Sequence, residues 1–193
     1  PIYAGAVSLF IKDTLKISKH KKITTIFGST NLKKKFKFRY KNIPLSKFRI
    51  QSASKKYVNQ FISLEKKNKS NLIEIHNRPN YLKSLISELN NRSYVIYFHN
   101  DPLTMKGSKT VSDRNFLLKN CFRIIFNSNW SKKRFLEGMQ DRFINSEKLM
   151  VIYQSASKQK VDLKKKKNLI TFVGKLNRAK GYDIFGSAVT KIL

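Results

Sequence analysis

The sequence predicts an α/β fold, a parallel sheet with helices on both faces, followed by the opening of a second unit of the same kind. The first observation behind this is rhythm. Short apolar runs at 72–76, 94–98 and 122–126 alternate with segments at 81–89, 113–119 and 131–139 that read as helices. The second is spacing: a helix-length segment separates each pair of strands, which a right-handed parallel crossover requires and an antiparallel hairpin does not. The third lies near the C-terminus, where the apolar run 169–173 ends at Gly174 and Tyr182, Phe185, Val189 and Ile192 follow at helical spacing.

Taken in order, 4–18 is predicted to be a helix on Val7, Phe10, Ile11 and Leu15, and 22–27 a strand closed by Gly28 and Ser29. Phe36, Phe38 and Tyr40 alternate with Lys37 and Arg39 as a half-buried strand does. A helix over 54–66 follows on Tyr57, Val58, Phe61 and Ile62, and then the regular alternation, which closes with a short strand at 149–153. Segment 159–167 is polar and charged with little to bury. It reads as an interdomain linker between a domain at 1–158 and a unit at 168–193. One strand and one helix cannot bury a core, so that last unit is expected to be the truncated start of a larger domain. Pro1 in place of Met, and an end inside a helical pattern, are what a piece of a longer reading frame would show.

The chain carries 41 Lys and Arg against 11 Asp and Glu, a formal charge of +30, and its pI is near 10.4. Such a balance is the electrostatic footprint of a phosphate-backbone binder, and a basic α/β nucleic-acid-binding domain without catalytic activity is the alternative it supports. The lysines are, however, scattered through every segment and far outnumber the arginines. Runs such as 33–35 and 164–167 read as solvated loop and linker charge. With no aromatic and basic stacking platform in view, no specific nucleic acid is expected, and an anionic membrane surface is a second use for the charge. The single cysteine, Cys121, excludes an intrachain disulfide and fits a reducing cytosol. No apolar stretch reaches the roughly 20 residues of a membrane span. The expected location is cytoplasmic, with peripheral contact at the inner face of the cell membrane. A hydrophobic content of 40% with 14 Phe excludes a disordered chain.

In open parallel sheets, ligands bind beyond the carboxyl ends of the strands. Those positions hold His76-Asn77-Arg78, His99-Asn100-Asp101, Asn127-Ser128-Asn129 and Gly174-Lys175. His99 follows a central strand and is placed to hydrogen-bond a hydroxyl or a leaving-group oxygen; a histidine satisfied by a neighbouring carbonyl is the plain alternative. His76 ends the preceding strand, and His20 falls in a Lys-rich turn at the surface. Gly107-Ser-Lys-Thr110 fails the phosphate-loop pattern, because Pro stands at 102 where Gly is required and Lys does not directly follow Gly107. The segment 102–110 reads instead as a polar, mobile loop lining the cleft, its Lys106 and Lys109 available to an acidic or phosphorylated acceptor. No metal is expected, since His99 and Asp101 lack further ligands. Nor does a close pair of carboxylates follow a core strand, as hydrolysis by acid and base would need. What remains is a set of hydrogen-bonding groups plus the basic loop of Lys175, Arg178 and Lys180 before the last helix. That loop stands where a phosphate would be held and would stabilise negative charge on a leaving diphosphate.

Phe172-Val-Gly-Lys-Leu-Asn-Arg-Ala-Lys-Gly-Tyr-Asp183, with Ala188 in the helix after it, resembles the opening of the C-terminal domain in family 4 glycosyltransferases, the large GT-B group also called glycosyl transferases group 1. Upstream, Ile73-Glu-Ile-His76 looks like the family's strand ending in His, and Val95-Ile-Tyr-Phe-His99 like its central strand with a cleft histidine. Ile124-Ile-Phe-Asn-Ser-Asn-Trp-Ser-Lys132 is similar to its strand and helix with two serines three apart, and Leu149-Met-Val-Ile-Tyr153 to the strand before the interdomain linker. Ala4-Gly5-Ala6 falls where the family has a Gly-Gly loop, with the family's first strand lying ahead of Pro1. Two positions depart from the pattern. Lys175 replaces Arg, keeping charge without the bidentate fork, and Gln154-Ser155 replaces an Asn-Gly turn.

The resemblance implies two Rossmann-like domains in the GT-B arrangement, represented here by the N-terminal, acceptor-side domain and the first βα unit of the nucleotide-sugar domain. It implies a glycosyltransferase that moves a sugar from a nucleotide-sugar donor to a glycan or lipid-linked acceptor, as in polysaccharide and cell-envelope biosynthesis. Transfer would be retaining and would use neither metal nor cofactor. His99, Lys175 and Lys180 are the catalytic candidates: the two lysines and Gly5 at the donor diphosphate, His99 against the transferred sugar or the acceptor hydroxyl. His76, Asn100, Lys106, Lys109 and Ser128 are the acceptor-side candidates. The nucleotide pocket and a paired-glutamate motif belong to the rest of the family's C-terminal domain, so this span alone is expected to be inactive.

Overall fold

Helix α1 (Ala6–Ile17) forms where Val7, Phe10 and Ile11 share a face, and it stops at Ser18, whose N–H bonds back to the carbonyls of Leu15 and Thr14. The computed structural model describes residues 5–31, 37–44, 52–143, 146–154, 169–174, 176 and 178–192. Lys175, the linker at 159–167, Phe36 and the lysine runs at 33–35 and 164–167 lie outside the described residues. Two compact units make up the chain, Pro1–Ala156 and Ser157–Leu193.

After α1 the chain pairs β1 (Ile26–Gly28) with β2 (Tyr40–Asn42) in parallel, Ile26 opposite Tyr40. Both strands start later than expected. Ser18 Oγ accepts the His20 N–H and Thr24 Oγ1 donates to the His20 carbonyl, so local turn bonds occupy the backbone up to Thr24 before a ladder can begin. Residues 37–39 form a bend ahead of β2. Helix α2 (Ala53–Asn68) is capped by Ser52, which accepts the Lys55 N–H, and it buries Val58, Ile62 and Glu65. Glu65 is only 1% exposed. Its carboxylate accepts the N–H and hydroxyl of Ser70 and the Nε–H of Arg92, which satisfies the buried charge and closes the turn out of α2.

Four parallel strands then form one sheet in chain order: β3 (Leu72–His76), β4 (Ser93–Phe98), β5 (Arg123–Phe126) and β6 (Leu149–Val151). Between them run α3 (Leu82–Glu88), α4 (Val111–Asn120) and α5 (Asn129–Leu136). Ile75 stands opposite Ile96, and Ile96 opposite Ile124. These side chains, with Phe98 and Phe126, face one side of the sheet and pack with Leu82, Leu85, Leu117 and Phe135 of the three helices. Each such buried side chain contributes about 1.5–3 kcal/mol. A slip of one residue would turn the whole set to the other face, so the register is strongly specified. On that other face lie Glu74, His76 and Tyr97, where Phe10 of α1 packs against Tyr97 at 4.9 Å between ring centres. Parallel sheets flanked by helices make this an α/β fold, Rossmann-like in class.

The 102–110 segment is held, contrary to the mobile loop expected from its polarity. Ser108 is fully buried and its hydroxyl donates to the Pro102 carbonyl at 2.6 Å. Arg114, 2% exposed, donates to the carbonyls of Ser108, Lys109 and Glu137, tying the loop to the end of α5. Gly107 has φ of +92°, and a Cβ there would lie 2.6 Å from the backbone nitrogen of Asn80, so only glycine fits. Polarity here serves internal bonds, which composition cannot distinguish from solvation.

In the second unit the strand expected over 169–173 is not formed; 169–173 have no regular structure. A strand takes its hydrogen bonds from a neighbour, and among the described residues this unit offers none. The helix expected next is present as α6 (Tyr182–Ile192), after a 3₁₀ turn at Arg178–Lys180. Phe172 and Phe185 meet at 5.4 Å, yet no described residue from 169 onward is buried. Among the described residues of the chain, no helix is long and apolar enough to cross a membrane.

Candidate functional site

The carboxyl ends of β3, β4 and β5 are joined by side-chain amides. Asn77 adopts φ of +52°, a left-handed conformation that Asn tolerates better than most residues. This turn aims Asn77 Oδ1 at the backbone N–H of His99, which it accepts at 2.7 Å. From the other side, Asn127 Nδ2 donates to the His99 carbonyl at 2.8 Å. Ser128 caps α5 by accepting the Ser131 N–H, and the Ser131 hydroxyl donates to Asn127 Oδ1 at 2.9 Å. The two serines three apart therefore orient Asn127, which in turn holds the backbone of His99.

The imidazoles form a row. His99 Nε2 lies 2.9 Å from His76 Nδ1, His99 Nδ1 lies 2.8 Å from Gln154 Nε2, and His76 Nε2 lies 3.1 Å from Glu74 Oε1. Tyr97 stacks on His99 at 4.4 Å and on His76 at 5.6 Å, and Phe10 meets the His99 ring edge-on at 5.0 Å. The Tyr97 hydroxyl donates to the Ile152 carbonyl at 2.8 Å, tying the row to the end of β6. His99 is 8% exposed. Burial, followed by the neighbouring His76, pushes its pKa down to about 4, with Glu74 acting in the opposite sense. At neutral pH the ring is therefore uncharged, with one N–H and one lone pair.

Both histidines singled out from sequence are thus brought together, and the remaining candidates are distributed around them. Asn100 is exposed, and so are Lys106 and Lys109 on the pinned loop. Asp101 pairs with Arg134 at 3.1 Å and accepts the Leu103 N–H at 3.0 Å. Ser128 is half-buried and engaged in its cap. His20 is exposed in a turn, and Gly5 is exposed at the start of α1. In the second unit Lys180 is exposed, and Arg178 Nε lies 3.9 Å from Asp183. Among the described residues, no group of three or more His, Cys, Asp or Glu side chains is arranged to hold a metal ion; Glu74, His76 and His99 stand in line and do not converge.

Glu74, Tyr97 and Gln154 are neighbours of the two histidines that sequence reasoning did not pick out. A signal existed for two of them: Glu74 and Tyr97 each precede a histidine by two positions, and in an extended chain residues two apart share a face. Gln154 carries no such signal, since it reaches His99, at the end of β4, only once β5 has paired between β4 and β6. Compared with models of protein families, with characterised proteins and with solved structures, the chain matches none of them.

Proposed function

We propose that the chain is the acceptor-side domain and the beginning of the donor domain of a GT-B glycosyltransferase. Such an enzyme transfers a sugar from a nucleotide-sugar to a glycan or lipid-linked acceptor at the cytoplasmic face of a membrane. The observation that carries this reading is the hydrogen-bonded His76–His99 pair at the carboxyl ends of adjacent parallel strands, in the motif order that the resemblance requires. His99 contacts a hydroxyl of the transferred sugar or of the acceptor. The ligand takes the place of exposed Gln154 at Nδ1, while the bonds from Asn77 and Asn127 keep the residue fixed. Lys180, with Lys175, neutralises the charge that develops on the leaving diphosphate, an electrostatic contribution. Sparse carboxylates fit such chemistry, because neither a general-acid pair nor a metal cage is asked of them.

Transfer from labelled nucleotide-sugars to a membrane extract, measured with the full-length protein and its Lys180→Ala variant, tests the reading. The variant is expected to lower transfer about a hundredfold with the fold intact. Unchanged turnover removes Lys180 from the mechanism. Absence of transfer in the wild type, together with tight nucleic-acid binding that weakens steeply with salt, would replace the transferase reading with the nucleic-acid one.

A further inference from the structure

We infer that Glu74 is a positioning residue: acting through His76, it sets the tautomer of His99 so that Nδ1 of His99 offers a lone pair to a hydroxyl donor. The inference rests on the transferase reading only for the identity of that hydroxyl, a sugar or acceptor hydroxyl. The order of protons follows from the geometry of the row. Glu74 Oε1 stands 3.1 Å from His76 Nε2 as an ion contact, and an anion at that distance favours a hydrogen on Nε2 over a lone pair there. A neutral His76 then has its lone pair on Nδ1, and the group facing that atom at 2.9 Å is Nε2 of His99. The hydrogen of His99 is therefore on Nε2, which leaves Nδ1 as the acceptor. At 2.8 Å from that atom stands the Gln154 amide, whose nitrogen is a donor that this order accommodates.

Glu74 is what removes the ambiguity. Two imidazoles and one amide, taken alone, can run their hydrogens in either direction, since each ring has a donor and an acceptor and the amide can present either end. In the reverse order His99 Nδ1 would be a donor, and a substrate hydroxyl would have to accept. A single acceptor-only group at one end selects one direction for the whole row, which is the logic by which a third group orients the base in nucleophile–base pairs. Glu74 has its side chain 46% exposed, so its replacement does not open a cavity in the core.

The test is imidazole ¹H–¹⁵N NMR on the ¹⁵N-labelled full-length protein above neutral pH, which reports the protonated nitrogen of each ring without any substrate. Wild type is expected to show a protonated Nε2 and an unprotonated Nδ1 on both His76 and His99. Glu74→Lys, which sets a donor against His76 Nε2, is expected to exchange the two signals on both rings. Glu74→Gln, which keeps an accepting oxygen, is expected to retain the wild-type pattern. A protonated Nδ1 on His99 in the wild type, or an unchanged pattern in Glu74→Lys, overturns the inference. In the transfer assay Glu74→Lys is expected to lower kcat/KM about tenfold, with Glu74→Gln restoring it. A wild type that transfers no sugar defeats the transferase reading and leaves the NMR result standing, so the two failures are distinguishable.

Discussion

His99 Nε2 lies 2.9 Å from His76 Nδ1, and this contact is not one that strand register provides by itself. In the ladder His76 is opposite Tyr97, two residues short of His99. The left-handed turn at Asn77 lets its amide accept the His99 N–H, so an amide that touches neither ring holds the backbone beside the pair.

Acidification is expected to weaken the fold through His99. Its pKa is about 4 in the folded chain against an ordinary 6.5. Between those values the unfolded chain takes up a proton that the folded chain does not, so stability is complete above about 6.5 and declines as pH falls toward about 4. The contribution is at most about 3 kcal/mol. Urea unfolding on either side of this window should show a smaller loss for His99→Gln than for wild type, and equal losses would assign the acid sensitivity to other groups.

Two substitutions at Asn77 separate conformation from hydrogen bonding. Asn77→Gly keeps the positive φ and loses the bond to His99, a cost of about 1 kcal/mol. Asn77→Ala loses the bond and adds the strain of a left-handed alanine, about 1 kcal/mol more. Denaturant midpoints should fall in the order wild type, Gly, Ala, and a reversed order for the variants would remove backbone strain from the account.

Arg114 donates to three carbonyls, those of Ser108, Lys109 and Glu137. Arg114→Met should destabilise the protein by about 2–4 kcal/mol. Arg114→Lys should recover only part of this, because an ammonium cannot span the same fork. Thermal unfolding of the three proteins measures both effects, and a fully restoring lysine would show that charge and not geometry matters here.

Cys121 should be silent toward a thiol reagent in the native protein. It is 2% exposed, and burial pushes its thiol up to about 12, with Lys148 acting weakly in the other direction. Little thiolate forms near neutral pH, and none of it is accessible. Labelling is expected only as denaturant unfolds the chain, and rapid labelling in native buffer would contradict this burial.

Much of the fold was legible because it rests on periodicity. Strands β3, β4 and β5 fall within one residue of their expected bounds, since each carries apolar residues that recur on one buried face. The helices carrying Val58, Leu85 and Leu117 follow from spacing in the same way. Where a segment needs a partner, as at 169–173, or spends its polar groups on itself, as at 18–24 and 102–110, composition could not tell which would happen.

By itself, then, the sequence determined the α/β class, the positions of β3, β4 and β5 and the two histidines at the strand ends, because one-dimensional periodicity maps directly onto hydrophobic faces. Only the tertiary structure decided that these histidines meet, that Glu74 and Gln154 terminate their row and that Asn77 and Asn127 hold it. Hydrogen bonds depend on distances and directions between residues as far apart as His99 and Gln154, and such distances exist only once the strands have paired.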